Sequence, residues 1–334
     1  MDLLNALVAI TNYIIIPAST YGAQLALGAL GVTLIYGILR FSNFAHGDTM
    51  AFGTAITIMV TWALQAAGVS LGPLPTALLA LPFGILATAA LMLGTDRVIY
   101  AYYRKVKAKP VTLVMVSVGV MFMMNAVTRF LIGVDDIKFA DGERFVITAR
   151  GFKTFTGLTE PLALRTTQVL TLVMAALIVA ALFWFLNTTR TGKSMRAFSD
   201  NEDLALLSGI NPNRVVAVTW IIAGALATTA GVLYGLDKSF KAFNYFHLLL
   251  PIFASAILGG LGNPLGAIAG GFVIAFSEVG VTYAWKKVAT YVLPIEPDGL
   301  LQLLSTEYKF AVSFIILIVV LLFKPTGLFK GKSV

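Results

Sequence analysis

Eight apolar runs dominate the 334-residue chain, at 20–39, 49–67, 74–94, 111–132, 168–187, 214–235, 265–283 and 310–323. At ~1.5 Å of rise per residue, most of them match the ~30 Å thickness of a hydrocarbon layer when helical. Lipid offers backbone groups no hydrogen-bond partner, so a spanning segment must be a helix or a strand in a closed barrel. Barrel strands are short and alternate polar with apolar, whereas these runs are long and continuous. Residues 3–16 and 248–261 are also apolar but reach only ~21 Å as helices. They are expected to form short or re-entrant half-helices. No hydrophilic stretch exceeds about 35 residues, which leaves no room for an appended globular domain. The expectation is an all-α membrane protein: residues 1–334 form a single transmembrane domain, a polytopic helical bundle of about 8–10 membrane segments.

Charge then orients the bundle. Charged residues make up 12% of the chain, half the ~25% of soluble domains. The net charge of +8 sits in loops beside apolar runs, the pattern of the positive-inside rule rather than of a nucleic-acid surface. Loop 95–110 carries five basic residues and one acid, the 188–213 insert carries Arg190, Lys193 and Arg196, and the tail carries Lys324, Lys330 and Lys332. These three segments are placed on the cytoplasmic side. The 133–167 loop, with five basic and five acidic residues, is then a periplasmic loop. Asp2 without a basic neighbour leans the N-terminus outward and favours a re-entrant first segment. The N-terminus lacks the basic region of a cleavable signal peptide and is expected to persist. Zero cysteines and two histidines, His46 and His247, argue against disulfides, thiol chemistry and a metal centre. No cofactor is expected.

The 25-residue insert Arg190–Arg214 reads RTGKSMRAFSDNEDLALLSGINPNR. Ser199 as N-cap with Glu202 three residues on forms a capping-box pattern. Asp200, Glu202 and Asp203 suit the positive end of a helix dipole. Leu204 and Leu207 share a face, Gly209 fits a C′ position, and Pro212 prevents continuation. The pattern predicts a helix of roughly three turns with an apolar ridge and no core of its own, which calls for a partner. Gly192-Lys193-Ser194 resembles the end of a phosphate-binding loop, but Asn187 stands where that loop needs glycine. The chain is therefore expected to carry no ATP site and to be no enzyme.

Other motifs concern transport or packing. Gly262, Gly266 and Gly270 make a small-residue stripe suited to close helix approach. Asn263 and Pro264 read as an N-cap and first helical residue, with Gly259 and Gly260 marking a break before them. An interrupted helix at membrane depth would point to a transport path. Asn43 and His46, in Asn43-Phe44-Ala45-His46-Gly47-Asp48, are placed at the cytoplasmic end of span 20–39. A His46–Asp48 proton relay is less economical there than a polar connection capping the next helix. Glu278, inside the apolar segment GFVIAFSEVGVTYAW, should line the pathway, pair with a basic residue or be protonated, since a lipid-facing carboxylate is costly. Asn125 and Arg129 are a candidate partner face.

The insert RTGKSMRAFSDNEDLALLSGINPNRVVAVTW resembles the cytoplasmic loop of permease subunits in branched-chain amino-acid ABC importers. IYGILRFSNFAHGD, ILGGLGNPLGAIAGG and LSTEYKFAVSFIILIVVLLFKPTGLF match the LivH-type subunit in the same order. The 133–167 and 284–305 regions match no such pattern. The resemblance implies an inner-membrane, multi-pass transport subunit working with a second, related permease of LivM type. Two cytoplasmic ABC ATPase subunits and a periplasmic substrate-binding protein complete the implied assembly, which involves no nucleic acid. It implies that the short helix seats on the ATPase, with Leu204 and Leu207 as anchors and Arg196 and Glu202 at the rim. Related permeases carry urea and short amides, which keeps that alternative open. An autonomous secondary transporter would need several embedded ionisable groups, yet Glu278 is nearly alone.

Overall fold

The structure is a computed structural model describing residues 2–292, 299–324 and 326–329; Lys330 and Lys332 lie outside the described residues. Among the described residues, nine helices are long and apolar enough to cross a membrane. They are α1 (Asp2–Leu39), α2 (His46–Ala66), α3 (Ala77–Lys105), α4 (Pro110–Ile132), α6 (Thr166–Thr188), α9 (Pro212–Asp237), α10 (Ala242–Gly259), α11 (Pro264–Thr282) and α13 (Thr306–Phe323). Four shorter helices join them: α5 (Ala149–Thr156), α7 (Arg190–Asp200), α8 (Glu202–Leu207) and α12 (Lys286–Val292). A two-stranded antiparallel ribbon, β1 (Phe145–Ile147) with β2 (Leu164–Arg165), is the sole sheet among these residues.

Helix α1 is the axle. It packs against α11, α9, α10 and α6, and 94% of its most apolar window is buried, against 17% for α13 at the periphery. An apolar surface all round suits a helix enclosed by others. The expected short first segment is not separate. Residues 3–16 continue into 20–39 as one helix about 57 Å long at ~1.5 Å per residue, widened to a π-turn over Thr11–Ile15. Pro17 removes one donor there, and the wider turn absorbs the loss without ending the helix.

Two more boundaries differ from expectation. The basic loop 95–110 is largely helix, since α3 runs on to Lys105 through a π-turn over Asp96–Tyr100. Asp96 explains this: it takes two hydrogen bonds from Arg104, at 2.5 and 2.9 Å, and one from Trp220 Nε1 at 2.7 Å. Tyr100 stacks on Trp220 with ring centroids 5.2 Å apart. The run 248–261 begins earlier than hydropathy suggests, at Ala242, so α10 is a helix of 18 residues rather than a half-helix.

Contacts within each end of the bundle hold the connections together. At one end, Arg40 donates to the Ser199 carbonyl at 2.7 Å, joining the 40–45 link to the 188–213 insert. At the other, Ile137 and Phe240 exchange two backbone bonds of 2.8 Å, and Glu143 N–H reaches the Pro73 carbonyl at 3.0 Å. Asn5 and Asn12 of α1 accept from Glu160 N–H at 3.3 Å and Ala163 N–H at 3.0 Å. The start of α1 therefore lies on the same side as the 133–167 loop.

Candidate translocation path and coupling surface

After Leu39 the chain turns at Arg40, whose left-handed φ of +56° caps α1, and folds back into the bundle. Phe41, Asn43, Ala45, His46 and Asp48 are all at most 2% exposed. A Cβ added to Gly31, eight residues before the end of α1, would stand 2.5 Å from His46 Cε1. The first turn of α2 thus starts about 12 Å inside the end of α1. The 40–45 segment does connect α1 to α2, as sequence suggests, but it is not exposed: Asn43 lies in the non-helical link and His46 opens α2, both enclosed by protein. Such backbone is tolerated at membrane depth only with partners, and they are present. Phe44 N–H donates to Ser117 Oγ at 3.1 Å, Ala45 N–H to Asn43 Oδ1 at 3.2 Å, and Tyr100 Oη to Asn43 Oδ1 at 3.4 Å. Asp48 accepts from Asn125 at 2.6 Å, and no His46–Asp48 hydrogen bond exists among the described residues. Asn125 is therefore an internal partner, while Arg129 lies over the Phe243 ring, 5.8 Å from its centroid.

Beside this link is a cavity of about 490 Å³ walled by α4, α10 and α13. Phe44, Phe246, His247, Phe253, Phe310 and Phe314 line it. His247 is exposed, edge-on to Phe243 at 4.6 Å and stacked on Phe310 at 5.9 Å. Ionisable side chains within spans face protein or water rather than lipid. Sequence reading passed over this wall, although Phe243, Phe246, His247 and Leu250 recur at the i, i+3, i+4, i+7 spacing of one helix face.

Glu278 lies four residues from the end of α11, 1% exposed. It accepts from Ser313 Oγ of α13 and interacts with Lys309 and Tyr21. Lys309 in turn sits 5.5 Å above the Tyr21 ring. This cluster ties α1, α11 and α13 together at one end of the bundle. Glu278 has a basic neighbour, and the aromatic cavity is lined by other residues.

The glycine-rich segment is a hairpin. Helix α10 ends at Gly259, Gly260 and Gly262 adopt φ of +100° and +84°, and α11 starts at Pro264 with Asn263 accepting from Gly266 N–H at 3.1 Å. The break therefore joins two complete spans at the insert end of the bundle, and the true interruption inside the bundle is 40–45. Gly262 belongs to the turn, so the packing stripe starts at Gly266. A Cβ on Gly266 would stand 2.8 Å from the Gly259 carbonyl carbon, and one on Gly270 would stand 2.9 Å from that of Ser255. Gly327 closes on Gly260, and Leu328 N–H donates to the Leu258 carbonyl at 2.8 Å.

In the insert, α7 docks through Met195 and Phe198, 2% and 4% exposed, with Thr189 accepting from Gly192 N–H at 3.0 Å. Gly192-Lys193-Ser194 lies inside this helix. Arg196 donates to Asn187 at 2.9 Å. Ser199 falls in the last turn of α7 and is not an N-cap; Asn201 caps α8 instead, accepting from Leu204 N–H at 3.0 Å. Asn201 is extended, with φ −152° and ψ 108°, as an N-cap requires, whereas Ser199 is helical. Glu202 is consequently the first residue of α8, and the expected three-turn helix is six residues long. At its other end Gly209, at φ +79°, completes a Schellman pair: its N–H reaches the Leu206 carbonyl at 3.0 Å and Ile210 N–H that of Ala205 at 3.1 Å. Ala205 packs inward, while Leu204 and Leu207 stand 61% and 85% exposed.

Comparison with known proteins agrees with this architecture. Residues 14–321 match the family described as branched-chain amino acid transport system, permease component. The chain is similar to the high-affinity branched-chain amino acid transport system permease protein LivH of Escherichia coli, 30% identical over 94% of each chain. It has the same identity and coverage with the permease protein BraD of Pseudomonas aeruginosa. The probable permease LivH of Methanocaldococcus jannaschii is 26% identical over 93% of this chain and 90% of its own. With nine helices of membrane-spanning length and a match over nearly its whole length, the chain belongs to the branched-chain amino acid transport permease family and is a multi-pass inner-membrane permease component.

Proposed function

We propose that this chain is the LivH-type half of an ABC importer for branched-chain amino acids. It pairs with a LivM-type paralogue, takes substrate from a periplasmic binding protein, and is driven by two cytoplasmic ATPase subunits in which all ATP hydrolysis resides. The insert face is cytoplasmic and the 133–167 loop periplasmic, in line with the charge of loop 95–110 and the insert. The observation that carries the reading is α8: a six-residue helix capped at both ends that leaves Leu204 and Leu207 uncovered. So short a helix has no stability of its own, and its apolar ridge suits a groove on a partner. Arg196, Glu202 and Gly209 flank that ridge, and Ser199 fixes the base of α7 against Arg40.

Substrate passes along the cavity walled by α10 and α13, between this chain and its partner permease. An apolar, aromatic wall with few polar groups suits an aliphatic side chain. Closure of the ATPases moves α8, α7 docks it to the bundle, and the 40–45 link is joined to α7 through Arg40–Ser199. The test is the double substitution Leu204→Asp with Leu207→Asp. The permease should still insert and pair with its paralogue but lose ATPase subunits on purification. Normal ATPase recovery would remove α8 from the coupling role.

A further inference from the structure

A second cavity, of about 620 Å³, opens at the periplasmic face under the 138–144 segment. Its walls carry charges of both signs: Lys138, Arg144, Arg165 and Lys238 against Asp141, Glu143 and Asp237. Phe139, 5% exposed, wedges against Gly235 beneath it, and the Ile137–Phe240 bridge fixes the segment above the α9–α10 turn.

One of these charged groups, Asp237, is desolvated, while Arg165 beside it is 44% exposed and free to reorient. The Asp237 side chain is 6% exposed, and its Oδ1 has no hydrogen-bond partner. Lys238 Nζ lies 3.4 Å from Oδ2, and Arg165 Nη1 stands 4.0 Å from Oδ1, too far for a hydrogen bond. Asp141, by contrast, is spent on Thr76 and Gln65 at 2.5–2.9 Å. The cavity thus offers one desolvated carboxylate oxygen beside a guanidinium. An unsatisfied buried acceptor is costly, and an ammonium group would satisfy it. A guanidinium binds a carboxylate through paired donors.

We infer that this cavity is a receiving site for a free zwitterionic α-amino acid, its ammonium on Asp237 and its carboxylate on Arg165. Both ligand charges are borne on one carbon, so a single molecule bridges the gap between the two side chains. A cavity of one sign would reject such a ligand, whereas this one balances it. The site recognises the α-amino acid head and leaves selection of the side chain to the aromatic wall deeper in the bundle. It rests on the importer reading given above.

The test is equilibrium binding of radiolabelled leucine to the complete importer in nanodiscs, without its binding protein. Wild type should bind saturably, and Asp237→Asn or Arg165→Gln should each weaken binding about tenfold or more, the loss of one charge-assisted contact. Isoamylamine and 4-methylpentanoate, each lacking one of the two charges, should not compete. Arg144→Gln, at the exposed rim, controls for a general loss of positive charge and should bind within about twofold of wild type. Absence of saturable binding, or unchanged affinity in both variants, would overturn the site. Variants that keep leucine affinity but lose the binding protein would overturn it too, by assigning the charges to protein docking. Failure of the importer reading is separable, because cellular uptake of leucine would then be independent of this chain altogether.

Discussion

Gly266 shows how much rests on single atoms. Its missing Cβ faces the Gly259 backbone, which cannot rotate away. Gly266→Ala should therefore destabilise the purified permease by about 1–3 kcal/mol, the cost of overpacking. Gly280→Ala, with nothing within 4 Å of the added atom, should be silent in the same thermal-unfolding measurement. Equal melting of the two would mean the α10–α11 crossing is looser than described. The small-residue spacing made Gly266 and Gly270 legible in sequence, but nothing in the spacing says that Gly262 stands in the turn. Glu160 was not legible at all, because its partners come from α12 and α1. Burial works against its charge, but hydrogen bonds from Lys287 at 2.7 Å and Tyr291 at 2.6 Å hold its carboxyl below the ordinary value of 4.5. Its contribution is then full above pH 4.5 and lost as pH falls through the native value. Lys287 is held above its ordinary 10.5, so its contribution persists at neutral pH and fades only in strong alkali. Hydrogen exchange corrected for intrinsic rates should show residues 158–164 and 286–292 opening below about pH 4.5, and Glu160→Gln should abolish that pH dependence. Uniform protection down to pH 3 would contradict the anchor.

Elements were easier to foresee than their ends. Hydropathy located eight of the nine spans, since lipid leaves the backbone no choice but a helix. It misjudged α1 because a π-turn is accommodated without ending the helix, and α10 because Asn244 and His247 break the apolar run in its first turns. The capping of α8 was misread by two residues, as Ser199 and Asn201 are both good cap types and only backbone dihedrals decide between them. The interruption at 40–45 escaped notice for a different reason. Its polar residues read as a surface connection, and only the enclosing Ser117, Tyr100 and Asn125 reveal that it is buried. The same elements carry a prediction. Phe310→Ala and Phe253→Ala on the aromatic wall should reduce leucine uptake while leaving complex recovery and basal ATP hydrolysis intact. Unchanged uptake in both would place the path elsewhere on the molecule.

At the scale of the whole molecule, one end of the bundle is basic and presents a capped apolar ridge, while the other carries mixed charge and the braced 133–167 loop. Helix α1 runs between the two ends, enclosed over residues 20–39 and partly exposed before them, and the 40–45 link joins it to the insert. We propose that such a chain acts as a gate and a transmission, driven by ATP hydrolysed on bound partner subunits. Affinity purification of the chain from its native membrane in mild detergent tests this dependence on partners. Co-recovery of a second permease and two P-loop ATPases is expected, with hydrolysis stimulated by leucine-loaded binding protein. Recovery of the chain alone at good yield, with uptake following an ion gradient rather than ATP, would contradict it.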